Sequence, residues 1–249
     1  SHEITTGVKN MILVAGGDSF TWGSELSDSI NCCSQLTFPA LLAKQANMEY
    51  QCVAHPGNSN QSITRITMMT CEEIKDQDIF VVVNWSFMSR FEFEFTYQIN
   101  SPWSPWCSIQ PQQSNKDEVK DFAKDFYRHV GTNMSYQTYH TMQSIHLLQS
   151  YLKSRSIPYM FTLIDNNFMN NSEWFGSSKV IRNLIDWDPW FFFPEGINES
   201  ETTGPRGFYQ WALENKYSVG SDGHPLEDAH RDAYNLIKDK FNELVKKID

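Results

Sequence analysis

Four short apolar runs recur along the chain: Met11–Ala15, Tyr50–Ala54, Asp78–Asn84 and Tyr159–Ile164. The third, Asp78-Ile-Phe-Val-Val-Val-Asn84, is continuous and rich in β-branched residues, as a strand covered on both faces must be. Helix-patterned segments separate the runs. Phe38–Asn47 carries Pro39 in its first turn, where a missing N–H costs nothing. A second helix is expected near Ile63–Ile74. Asp117–Ser154 reads as two helices broken near Gly131-Thr-Asn133. Leu226–Ile248 closes the chain as an amphipathic helix, with Ala229, Ala233, Leu236, Ile237, Phe241, Leu244 and Val245 on one stripe.

Strands alternating with helices imply a parallel sheet with helices on both faces. The pattern fits an α/β fold, a three-layer α/β/α sandwich with flavodoxin-like winding of about five strands. The fifth strand is expected near Tyr217-Ser-Val219. The chain is expected to form a single domain over 1–249, with aromatic loop insertions around 85–111 and 168–217. In the first, Phe91-Glu-Phe-Glu-Phe95 alternates with period two and predicts a hairpin strand, while the prolines of Pro102-Trp-Ser-Pro-Trp106 exclude helix.

Composition narrows the partners. The net charge of −10, from 20 Lys and Arg against 30 Asp and Glu, argues against nucleic acid, which is bound through basic clusters. No apolar stretch is long enough to span a bilayer, and no signal-peptide core is visible. The 5 cysteines are odd in number and form no C-x-x-C pair. They predict reduced, mostly buried thiols and a cytoplasmic location.

The strand ends carry the chemistry. The first run breaks at Gly16-Gly17 and continues into Asp18-Ser19. A serine past the carboxyl end of a buried strand and before a helix start is placed as a nucleophile, with its own amide facing developing negative charge. The competing reading is a turn with a helix cap. In parallel α/β sheets, ligands sit at the carboxyl ends of the strands. Gly57-Asn-Ser-Asn60, Asn84-Trp-Ser86 and Asp165-Asn-Asn167 fall on that rim, and the turn Ser221-Asp-Gly-His-Pro225 can reach it. A serine hydroxyl needs an adjacent base, which His224 supplies in this reading, with Asp222 to hold the imidazole tautomer. Oxyanion donors are expected from the amides of Ser19 and Gly57 and from a side chain of Asn84, Ser86 or Asn60.

This set resembles the SGNH (GDSL-type) hydrolases. Gly17-Asp18-Ser19-Phe20 resembles the family's first block, Pro56-Gly57-Asn-Ser-Asn60 its second and Asp222-Gly-His224-Pro225 its last. The resemblance implies a serine hydrolase acting on a small-molecule carboxylic ester through an acyl-enzyme, without a cofactor or metal. It casts Ser19, His224 and Asp222 as the triad and Ser19 and Gly57 as oxyanion donors. Two departures stand out. The family's third block, Gly-x-Asn-Asp, is matched here by Val83-Asn84-Trp85-Ser86, so Asn84 or Ser86 must supply its donor. The last Asp and His are two residues apart where three is usual. A rival base is His230 with Asp228.

Asn60, Trp85 and Arg90 are candidate substrate contacts; for Arg90 the competing reading is pairing with Glu92 or Glu94. Trp85, Trp103, Trp106, Trp187 and Trp190 read either as a pocket or as loop packing. His140 and His146 read as structural. An acyltransferase using the same serine, and a non-catalytic glycan-binding protein with a decayed site, are the alternative functions.

Overall fold

A computed structural model describes residues 11–99, 104–111, 115–167, 169, 177–195 and 204–247. Trp103 lies outside the described residues. The first half runs β1 (Ile12–Gly16), α1 (Ser19–Trp22), α2 (Phe38–Gln45), β2 (Glu49–Cys52), α3 (Asn60–Glu73) and β3 (Ile79–Trp85). The second runs β4 (Phe91–Glu94), β5 (Trp106–Ile109), α4 (Lys120–Phe126), α5 (Met134–Ser154), β6 (Tyr159–Leu163), α6 (Ser177–Leu184), α7 (Phe208–Glu214) and α8 (Glu227–Lys246).

The main sheet is parallel, in the order β2-β1-β3-β6. Ala15 pairs with Val82, and Val83 with Phe161, so the two most apolar strands sit at its centre. Side-chain alternation sends Val14, Val81 and Val83 to one face, where Ile63 of α3 and Met142, Ile145 and Leu148 of α5 cover them. It sends Leu13, Ala15, Phe80 and Val82 to the other, against Leu42 of α2, Trp211 of α7 and Ala233, Ile237 and Phe241 of α8. Both faces are therefore buried, which is why these strands read as continuous apolar runs.

The expected fifth strand is not at Tyr217-Ser-Val219. Val219 instead bridges antiparallel to Pro225 and closes a turn. Beyond β6 the sheet is extended by one parallel bridge, Phe161 to Trp190, with Phe161 N–H donating to Pro189 O and Phe191 N–H to Phe161 O. Pro189 has no N–H to continue the ladder, and Phe193 turns away to pair with Arg206.

The Phe91 run does form a strand, antiparallel to β5. Its Phe93 and Phe95 meet Phe122 of α4 edge-on. The helical break falls as expected: a π turn over Tyr127–Gly131 precedes α5, which is capped by the Asn133 side chain accepting from Tyr136 N–H. On α8, Leu236 lies off the buried stripe and is exposed. No helix among the described residues is long and apolar enough to cross a membrane.

Candidate active site

The site forms where β1 ends. A side chain on Gly17 would meet Thr21 Oγ1 at 2.1 Å, so only glycine lets the strand turn this tightly into α1. Asp18 caps the short helix by accepting from Phe20 N–H at 3.1 Å. Ser19 is thus the first helical residue, and it is 6% exposed. Asp18 carries the cap, which leaves the Ser19 hydroxyl uncommitted.

Helix α1 stops at Gly23, which adopts a left-handed conformation with φ 82° and donates to Ser19 O. Two residues on, Glu25 also has a positive φ, 69°. That turn delivers its carboxylate to the loop before α8. Glu25 Oε1 accepts from Ser221 Oγ at 2.9 Å and Asp222 N–H at 2.9 Å; Oε2 accepts from His224 N–H at 3.2 Å and lies 2.8 Å from His224 Nδ1. Gly220 makes room: a Cβ there would fall 2.4 Å from the carboxylate. Burial tends to raise the Glu25 pKa, but the bonds from the Asp222 amide, the His224 side chain and amide and the Ser221 hydroxyl outweigh it and hold it at about 2.

The carboxylate partner of the imidazole is therefore Glu25, not Asp222. Asp222 is exposed, and it contributes its backbone N–H to Glu25. With two residues of spacing and Gly223 at φ 88°, the turn directs its amides toward Glu25. The His224 ring packs against Phe20, ring centroids 5.1 Å apart, so the imidazole sits beside the residue that follows Ser19. No hydrogen bond joins Ser19 to His224 in this structure; such contacts in hydrolases often tighten only in the Michaelis complex.

The second loop also arrives as the motif suggests. Gly57 has φ 83°, and a Cβ at that position would meet no atom within 4 Å, so backbone conformation rather than space selects glycine. Asn58 N–H donates to His55 O, and Asn58 Nδ2 donates to Gly17 O at 3.0 Å, tying this loop to the turn that carries Ser19. His55 stacks on Trp22 at 5.5 Å.

The third strand end differs from expectation. Asn84 lies inside β3, opposite Thr162, fully buried, with neither amide atom partnered. The pleat aims it into the sheet's packing layer instead of the rim. The Ser86 hydroxyl is spent: it donates to Asp18 Oδ2 at 2.6 Å and accepts from Arg90 Nη1 at 2.9 Å. Asn60 holds Ser86 from the other side, accepting from its N–H at 2.8 Å and donating to its carbonyl at 3.1 Å and to Thr141 Oγ1 at 3.2 Å. Arg90 pairs with Asp18 at 2.7 Å, not with Glu92 or Glu94, and lies over the Phe87 ring. Glu92 pairs with Arg65. Trp85 is fully buried edge-on to Phe161. Asn60 and Arg90 are thus bonded to the strand end and to Asp18, and Trp85 packs in the core.

His230 is buried between Phe38 and Phe208, and its Nδ1 accepts from Phe38 N–H at 3.3 Å. Burial lowers it to about 3, while Asp228 pairs with Arg231 outside. This pair forms no second base. After β6, Asp165 accepts from Asn167, and Asn166 is bonded to Gln210 and Pro205, so that strand end anchors α7. Burial raises Asp165 to about 6.

Sequence reasoning singles out neither the Glu25 nor the Asn58 side chain, which the structure bonds to His224 and to Gly17. Asn58 sits within the second motif. For Glu25 the only local sign is a carboxylate in the turn after a Gly, and its contact spans 199 residues.

The parallel sheet with its flanking helices is a fold shared with solved structures that include a carbohydrate esterase. The crystal structure of TesA is 12% identical, with 94% of this chain and 99% of that one covered at a TM-score of 0.50. A carbohydrate esterase family 2 enzyme with a carbohydrate-binding domain, from Corynascus thermopiles (Myceliophthora fergusii), is 13% identical, with 96% and 67% covered at 0.52. At these identities the likeness is one of fold. No family model matches the chain, and no curated protein matches it in sequence.

Proposed function

We propose that the protein is a serine hydrolase that cleaves a carboxylic ester through an acyl-enzyme. The observation that carries this reading is the imidazole of His224, held at Nδ1 by a carboxylate and packed against the residue next to Ser19. An Nδ1–H donated to Glu25 leaves the Nε2 lone pair free to accept a proton. Ser19 Oγ attacks the ester carbonyl as its proton passes to Nε2. The oxyanion is met by the amides of Ser19 and Gly57. Collapse breaks the carbon–oxygen bond to the alcohol, which leaves with the proton from His224. Water then repeats the sequence on the acyl-enzyme and frees the acid. Glu25 stays ionised throughout and stabilises the imidazolium.

A cleft of about 780 Å³ begins at Gly57 and Asn58 and runs along Arg65, Glu92 and Trp106. Its mixed polar lining supports an ester with a hydroxyl-rich part, in keeping with the carbohydrate esterase among the structural neighbours. Free cysteines throughout the described residues fit work in a reducing compartment.

The test is labelling with a fluorophosphonate probe, followed by peptide mapping, beside hydrolysis of a short aryl ester. The label is expected on Ser19, and Ser19→Ala should lose both label and turnover. Equal hydrolysis by the variant and the parent would remove the serine mechanism.

A further inference from the structure

We infer that the side chain of Asn58 supplies the third oxyanion donor, in place of the asparagine that the SGNH pattern puts at the third strand end. This rests on the hydrolase reading above and identifies a residue within it.

The third strand end presents no spare donor at the surface of the rim. Asn84 is buried in β3 with its amide turned into the sheet's packing layer. Ser86 Oγ has one hydrogen, and it goes to Asp18. The Ser86 amide is taken by Asn60 Oδ1. Neither group can turn to an oxyanion without breaking a buried hydrogen bond to a carboxylate or an amide, which is costly away from water. The donor must come from elsewhere on the rim.

Asn58 meets the requirements. It is 8% exposed and lines the cleft that starts at Gly57. Its Nδ2 lies 3.0 Å from Gly17 O. A carbonyl oxygen can only accept, so the atom facing it must be the NH₂ group, and the orientation of the amide is settled by chemistry. That group has two hydrogens. One is used on Gly17, two residues before the nucleophile, and Gly17 O is its acceptor among the described residues. The second has no acceptor among the described residues, which leaves it available to an oxyanion. Arg90 Nη1 approaches the Asn58 carbonyl at 3.4 Å, and Asn58 N–H is bonded to His55 O, so the backbone that carries this amide is held at both ends. Such a donor is preorganised, which is what transition-state stabilisation requires. The same placement accounts for the relaxed third motif: with Asn58 as donor, strand β3 can use Ser86 to brace Asp18.

The experiment compares Asn58→Ala, Ser19→Ala and the parent on a short aryl ester, and measures inhibition by an aryl boronic acid, which forms a tetrahedral adduct on serine. Asn58→Ala is expected to lose about 10²–10³-fold in kcat with KM within a few-fold of the parent. Boronate affinity should fall with kcat/KM, while the thermal midpoint barely moves. Asn58→Asp, which keeps the shape but not the donor, should behave alike and carries the test if the alanine variant does not fold. Turnover within three-fold of the parent in a folded Asn58 variant, with Ser19→Ala inactive, would overturn this assignment and leave the hydrolase reading standing. So would a loss of turnover accompanied by unchanged boronate affinity, the mark of a purely structural role. An active Ser19→Ala would instead remove the hydrolase reading itself.

Discussion

The carboxylate of Glu25 lies 2.8 Å from Nδ1 of His224, six residues past the candidate nucleophile and 199 before the histidine. The contact joins the two halves of the proposed reaction. The turn that follows Ser19 holds the imidazole, and the loop that carries the imidazole returns two amides and a hydroxyl to the same carboxylate.

Glu25→Gln should lose turnover far more than Asp222→Asn. The amide cannot stabilise an imidazolium, and a drop of about 10²–10⁴-fold in kcat is expected by comparison with triads that lose their acid. Asp222→Asn keeps the backbone N–H that Glu25 uses and should stay within a few-fold of the parent. Steady-state hydrolysis of an aryl ester by the two purified variants checks this; equal losses would return the acid's role to Asp222.

Gly220→Ala should impair turnover while the protein stays folded. The added methyl would sit 2.4 Å from the Glu25 carboxylate, and a flexible side chain can retreat where a backbone cannot. Retreat breaks the contact with His224. Kinetics beside a circular dichroism melt separate the outcomes: loss of activity with the melt preserved is expected.

Arg90→Met should destabilise the fold. Asp18 is fully buried, and Arg90 is its cationic partner at 2.7 Å. Removing one member of a buried pair strands the other, at about 3–5 kcal/mol. Urea unfolding of the variant measures it. A loss under about 1 kcal/mol would mean that the Ser86 hydroxyl and the Phe20 amide suffice for Asp18.

Stability should fall in mild acid through His230. Burial lowers its pKa from 6.5 to about 3, so the unfolded chain takes up this proton first. The stabilising contribution is complete above about 6.5 and declines as pH drops toward 3. Thermal midpoints between pH 4 and 8 should flatten in His230→Phe relative to the parent, with aryl ester turnover at pH 8 retained.

Cys33 should be the first thiol to alkylate near neutrality. The neighbouring Cys52 thiol, outweighing burial, lowers it to about 7, and the same contact together with burial pushes Cys52 up. The cysteine pattern predicts mostly buried thiols, yet Cys32 is exposed and Cys33 and Cys52 are half-buried. Timed iodoacetamide labelling with mass mapping tests the order. Cys32 labelling ahead of Cys33 at pH 7 would contradict it.

The architecture was legible because it depends on short-range rules. A buried parallel strand must be apolar on both faces, and a chain of this length showed four such runs with helices between them. Glycine at 17 and 57 marked the turns where backbone must bend sharply, and the serine and glycine loops followed from their places at strand ends. The roles of particular side chains were not legible in the same way. Asn84 and Ser86 are two residues apart and look alike on paper, but the pleat buries one and a carboxylate from β1's end captures the hydroxyl of the other. Which acid reaches His224 was decided by a left-handed turn at Glu25 and a missing side chain at Gly220, far apart in sequence. Periodicity and turn chemistry are set by neighbours along the chain, so sequence alone determined the layers and the rim. Hydrogen bonds between loops depend on where packed elements bring them in space, so tertiary structure alone chose the partners.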